Sequence, residues 1–106
     1  MTNLEALMAE VEPYTVSPST YSKKLVDCSI SESATYTAEQ KKPIARCAIS
    51  ILQMLLSLSS DSTGRSSQSY NREGLEERIK ALCKENDLDE ADFIEVPTVL
   101  VYHNLI

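Results

Sequence analysis

The stretch Ile44-Ala45-Arg46-Cys47-Ala48-Ile49-Ser50-Ile51-Leu52-Gln53-Met54-Leu55-Leu56-Ser57-Leu58 decides the fold. Its polar members are Arg46, Ser50, Gln53 and Ser57, spaced four, three and four apart. On a helix that spacing makes one narrow polar strip and leaves the rest of the circumference apolar. Such a helix must be covered on most sides, so in a chain of 106 residues it is expected at the centre of the fold.

Around it there is room for one domain and no second core. Apolar residues make up 42% and charged residues 25%, the balance of a soluble globular chain. The net charge of −6 and pI near 4.7 argue against a protein that coats DNA or RNA, because phosphate binding needs clustered Lys and Arg. The amino-terminal run MTNLEALMAEVEP carries acids where a secretion signal would be basic and apolar, so no export signal is expected. The apolar helix is shorter than the roughly 20 residues a membrane span requires and carries Arg46 and Gln53. Cys28, Cys47 and Cys83 are scattered, which suggests reduced thiols in a cytoplasmic setting. Cys47 and Cys83 fall on apolar helix faces, where a thiol packs as a small hydrophobe. With His103 the three thiols match the composition of a zinc site, but no ligand spacing supports one, and neither metal nor cofactor is expected.

Three further helices flank the central one. The first is expected from Asn3 to about Glu12, with Thr2 as cap, Pro13 as stop, and Leu4, Leu7, Met8 and Val11 inward. The second starts at Ser17-Pro18 and runs to about Asp27, burying Tyr21, Leu25 and Val26. A polar connector around Ile30 leads to Thr37-Ala38-Glu39-Gln40, a capping-box pattern, with Pro43 delaying or bending the start of the central helix. Asn71 caps the last helix, to about Glu85, with Leu75, Ile79, Leu82 and Cys83 inward and Glu76, Glu77, Arg78 and Lys80 toward water. The expected fold class is therefore mainly α: a four-helix domain around a central buried helix at about 38–58. Its helical part covers residues 1–88, and an extended, β-prone arm covers 89–106, because Phe93 to Tyr102 is rich in β-branched and aromatic residues. No comparable strand exists to pair with that arm, so Val99, Leu100, Val101 and Tyr102 are expected either to fold over their own helices or to reach another chain.

Catalytic patterns are absent from the sequence, and an enzyme is not expected. Gly64 and Gly74 are the only glycines, which excludes a glycine-rich phosphate cradle. No serine sits in a nucleophile elbow, and His103 has no evident orienting partner. An EF-hand loop begun at Asp87 would place Asp92 where glycine is needed and Thr98 where the bidentate glutamate belongs, so Asp87, Asp89, Glu90 and Asp92 read as a solvated acidic turn. A helix-turn-helix DNA-binding module is the less favoured alternative: its recognition helix would be Asn71 to Glu85, which sets Glu73, Glu76, Glu77 and Glu85 against Arg72, Arg78, Lys80 and Lys84 where basic and amide residues are usual.

The run Leu55 to Tyr70, the end of a long apolar helix followed by a loop through Ser62-Thr63-Gly64-Arg65-Ser66-Ser67-Gln68-Ser69-Tyr70, and then the shorter amphipathic helix, resembles small head–tail connector proteins of tailed bacteriophages. The likeness is greatest to versions from prophages of gut bacteria, where Ser69-Tyr70-Asn71-Arg72-Glu73-Gly74-Leu75 matches a recurring Ser-Tyr-Asx-x-x-Gly-Leu stretch. Leu4 to Tyr14 and Lys24-Leu25-Val26-Asp27 also sit where that family has its first helices. The similarity covers roughly residues 2–88.

That resemblance implies a ring-forming adaptor that docks beneath the portal after DNA packaging and bridges to a tail or stopper protein. Its partners would be copies of itself, the portal, and the tail or stopper, with no membrane and no specific nucleic-acid binding although DNA passes nearby. It would be found in the bacterial cytoplasm during assembly and then at the virion head–tail interface. Carried over to this sequence, Ser62, Gly64, Arg65, Ser69 and Tyr70 form the channel-facing loop, with Arg65 a departure where an acid is more usual. The arm residues Val99, Leu100, Val101 and Tyr102 would make assembly contacts. Without the resemblance, the same features fit a small cytoplasmic scaffolding or regulatory protein acting through protein–protein contacts.

Overall fold

Helix α3, Lys41–Ser60, lies at the centre of a bundle with α1 (Asn3–Val11), α2 (Pro18–Asp27) and α4 (Arg72–Glu85), in a computed structural model that describes residues 1–60 and 72–93. α3 packs most extensively against α1 and α4 and to a smaller extent against α2, which also touches α1. The expected mainly α architecture around a buried central helix is the one found. Ile44, Ala45, Cys47, Ala48, Ile49, Ile51, Leu52 and Leu55 are almost wholly removed from water. Burial weakens in the last turn, where Leu58 is 55% exposed, contrary to the expectation for an apolar residue of this run.

The polar strip of α3 is a seam. Arg46 and Ser57 face water, but Ser50 and Gln53 are half-buried. The Ser50 hydroxyl lies 3.1 Å from the Lys24 ammonium of α2, which donates to it. The Gln53 amide donates to the carbonyl of Phe93, holding the segment that follows α4. Placing two polar side chains at these positions lets two neighbours dock where an apolar surface would leave their polar groups unpaired.

The start of α1 shows how the sequence satisfies a helix end. Four N–H groups at a helix N-terminus lack intrahelical acceptors. Here Glu5 N–H donates to the Thr2 hydroxyl at 3.2 Å and Thr2 N–H to the Glu5 carboxylate at 2.8 Å, a complete capping box. Asn3 and Leu4 N–H donate to the carbonyls of Ala34 and Glu32 in the connector. Residue 36 closes the strap, its N–H donating to the Met1 carbonyl at 2.9 Å, and Thr2 and Thr35 form an isolated antiparallel bridge. The side chain of Asn3 is buried too, and its amide donates to the Ser31 carbonyl at 2.9 Å.

That strap rotates α1 from the expected orientation. Asn3, Ala6, Leu7 and Val11 are buried, Leu4 is half-buried, and Met8 is 42% exposed instead of facing the core. The connector recruits the Asn3 edge of the helix, and Met8 on the opposite margin is turned outward. In α2, Tyr21 and Leu25 are buried as expected, whereas Val26 is 73% exposed because the helix is covered on one side.

Two helices end in the same device without glycine. After α2, Ser29 adopts φ 59°, and the N–H groups of Ser29 and Ile30 donate to Val26 and Leu25 carbonyls. After α4, Asp87 adopts φ 57° and Leu88 N–H donates to the Cys83 carbonyl at 2.8 Å. These are Schellman-type endings with an apolar residue, Ile30 or Leu88, brought back toward the core. The small cost of a left-handed Ser or Asp is offset by the carbonyls it satisfies.

The entry to α3 differs from expectation. Thr37 precedes a 3₁₀ turn, Ala38–Gln40, and its side chain makes no capping hydrogen bond. Gln40 N–H donates instead to the Thr37 carbonyl at 2.9 Å, so the tightened turn uses up the donor that a capping box requires. Pro43 then falls in the first turn of α3, where a missing N–H is tolerated. No helix among the described residues is long and apolar enough to cross a membrane.

Replacing the fully buried Leu52 with alanine is expected to cost about 2–5 kcal/mol, through lost transfer energy and the cavity left in α3's packing. Val26→Ala is expected to stay within about 0.5 kcal/mol. Chemical denaturation of both variants checks the pair; equal losses would mean that α3 is not the centre.

Candidate functional site

The residues expected to carry function fall mainly outside the described part of the chain. The loop residues Ser62, Gly64, Arg65, Ser69 and Tyr70, the cap Asn71, the arm residues Val99, Leu100, Val101 and Tyr102, and His103 all lie outside the described residues. What the structure adds is the set of surfaces around the bundle.

The first is an apolar groove of about 440 Å³. Its walls are Leu4 and Met8 of α1, Val16 of the intervening loop, and Pro18 and Tyr21 of α2. Tyr21 holds the loop in place: its hydroxyl accepts from Val16 N–H and donates to the Thr15 hydroxyl, each at 3.4 Å. The groove exists because α1 is rotated, and the outward Met8 supplies an unbranched, adaptable side chain on its edge. Sequence periodicity missed this surface, since it assigned Met8 to the core. The signal that could have revealed it is Asn3, whose burial turns its own edge of the helix inward and the Met8 margin outward.

The second is a polar cleft of about 300 Å³ where α3 begins and α4 ends, lined by Glu39, Lys41, Lys42, Glu85, Asn86 and Asp87. Lys41 donates to the carbonyl of Glu85 at 2.8 Å, placing a cation on the negative end of α4. The Asn86 amide is buried and donates to the Leu82 carbonyl at 2.8 Å, while its Oδ1 accepts no hydrogen bond from the described residues.

The third is the corner joining α1, α4 and the connector. Arg78 was expected to face water, but it is half-buried and donates to the Glu10 carbonyl at 3.1 Å and to the Glu10 carboxylate at 3.3 Å. The cation thus meets both a side-chain charge and the last turn of α1, and that double attraction removes it from solvent. Burial, and then the nearby Glu10 charge, raise the Tyr36 hydroxyl above its ordinary pKa.

The three cysteines are not gathered into one site. Cys47 and Cys83 are buried in α3 and α4, as expected of thiols on apolar faces, and Cys28 is half-buried at the end of α2. Among the described residues no group of three or more His, Cys, Asp or Glu side chains converges as metal ligands would. The acidic turn is solvated: Asp87, Asp89, Glu90 and Asp92 are exposed, and Asp89 caps a short 3₁₀ turn by accepting from Ala91 N–H at 3.0 Å.

A protein-family model matches residues 1–104, through the helical body and nearly all of the arm. The chain belongs to the family of unknown function DUF6706. No curated protein and no solved structure matches it.

One consequence of the site electrostatics is measurable. Burial, followed by Glu90, Asp89 and Asp92, holds the Cys83 thiol above its ordinary pKa. The folded chain therefore keeps a proton that the unfolded chain releases above about pH 8.5. This contribution to stability is complete below that pH and is lost as pH rises further. Tm should fall between about pH 8 and pH 10, and Cys83→Ala should fall less steeply over the same range; parallel curves would show that the thiol does not contribute.

Proposed function

We propose that the chain is a structural protein of a tailed phage or prophage: a ring-forming head–tail connector that docks on the portal and bridges to a tail or stopper. The observation that carries this reading is how the polar side chains are used. Lys24 is engaged with Ser50, Gln53 with Phe93, Arg78 with Glu10 and Lys41 with Glu85. Each bond ties one element of the body to another, which suits a part built to hold shape under load.

The sequence resemblance over roughly residues 2–88 supplies the connector assignment. Membership of a family whose model runs to residue 104 agrees with an arm that belongs to the domain's working form. The apolar groove beside Met8 offers a surface for a protein partner, because apolar area of that kind gains most from being covered. In this reading the chain has no catalytic activity, works without a cofactor, and moves from bacterial cytoplasm to virion without entering a membrane. Its loop residues Ser62, Gly64, Arg65, Ser69 and Tyr70 border the DNA channel without reading sequence.

Electron microscopy of the protein mixed with the portal encoded beside it tests the assignment. Decoration of the portal ring is expected for the full chain. A chain lacking Pro97–Ile106 is expected to lose ring assembly or docking while circular dichroism shows its helical content intact. A stable monomer or dimer with no affinity for the portal would favour a scaffolding or regulatory protein instead. Loss of the cooperative melt on truncation would place the arm in the core and overturn its assembly role.

A further inference from the structure

The seam between α2 and α3 brings two of the three thiols together. Lys24 of α2 reaches Ser50 of α3 at 3.1 Å. One turn further along α2 is Cys28, and nearly one turn back along α3 is Cys47. Cys28 packs, half-buried, against the core cluster that contains Cys47. The electrostatics agree with that adjacency: the Cys47 thiol is raised in pKa first by burial and then by the Cys28 thiol, and it also senses Lys24 and Asp27 on the same turn of α2. Cys83 senses Glu90, Asp89 and Asp92 instead.

We infer that Cys28 and Cys47 are a latent disulfide pair, closed by exchange with a low-molecular-weight disulfide and fastening the end of α2 to the middle of α3. Cys28 is the entry point because it is the accessible member. Its sulfur, having lost its proton, attacks one sulfur of the oxidant, and the oxidant's other sulfur leaves as a thiolate. Cys47 then loses its proton, and its sulfur attacks the sulfur of Cys28 and displaces the second oxidant thiolate. Two protein thiols become one disulfide, one small disulfide becomes two thiols, and the two protons end on the departing sulfurs. Burial keeps Cys47 protonated, so the second step is the slow one and accelerates as pH rises. Cys28 is the C-cap of α2, just past its last residue Asp27, and is followed by the left-handed Ser29, so its sulfur stands where the helix gives way to the connector.

The pairing does not depend on the connector assignment and is tested on the full chain with glutathione disulfide. Peptide mass spectrometry without reduction should find Cys28 linked to Cys47, with Cys83 still open to alkylation after unfolding. Tm should rise by at least about 5 °C and return to its starting value with dithiothreitol. Cys28→Ser replaces a half-buried residue, so it should fold, as circular dichroism checks, yet show neither the linked peptide nor the rise. Glutathione retained on Cys28 without a linked peptide, a cross-link between two chains, or a linked pair that includes Cys83 would each overturn the inference.

Discussion

Everything in this fold follows from the need to cover α3. A helix apolar over most of its circumference cannot be buried by one neighbour, because a helix neighbour shields only a sector. α1 and α4 take the larger sectors and α2 a smaller one, and the segment after α4 closes part of what remains. Two of the four polar positions on α3, Ser50 and Gln53, help to allow that division. Without Ser50 and Gln53, the Lys24 ammonium and the Phe93 carbonyl would meet hydrocarbon, and docking at the seam would leave polar groups unpaired.

Much of this was legible in the sequence, for a physical reason in each case. The inward face of α4, Leu75, Ile79, Leu82 and Cys83, is a regular amphipathic stripe whose partner, α3, is the helix with the most buried apolar residues among those described. Ser17-Pro18 and Thr2 predicted helix starts because their chemistry is local. What was not legible is non-local. Asn3 is polar, yet its burial and its bonds to residues 31 and 34 decide how α1 is turned. Arg78 reads as a solvent residue until α1 is placed beside it. The endings at Ser29 and Asp87 lack the glycine that normally marks such a turn, and Thr37 has the residues of a capping box but not the backbone of one.

The candidate site was less legible than the fold because its evidence is of another kind. Helix faces are set by periodicity, which physics enforces, whereas the loop from Ser62 to Tyr70 was singled out by short motifs whose meaning depends on a partner. The groove at Met8 was hidden by the same periodicity that revealed the helix. A stripe of Leu4, Leu7, Met8 and Val11 is a good core face, and only the connector's claim on the other edge converts its margin into surface.

The arrangement also ranks its own parts by strength. α2 has the smaller share of α3's surface, and its outer side carries the bare Val26. Its attachment rests on Tyr21, Leu25, the Lys24–Ser50 bond and the turn at Ser29. An element with few buried apolar anchors opens at lower free energy than the core it leans on. α1 is held differently: its first-turn donors are all satisfied, and its last turn is pinned by Arg78. The groove lies between these two helices, so its width depends on the weaker one. A covalent link from Cys28 to Cys47 would therefore act where the body is most able to open, leaving the α1–α3–α4 core almost untouched.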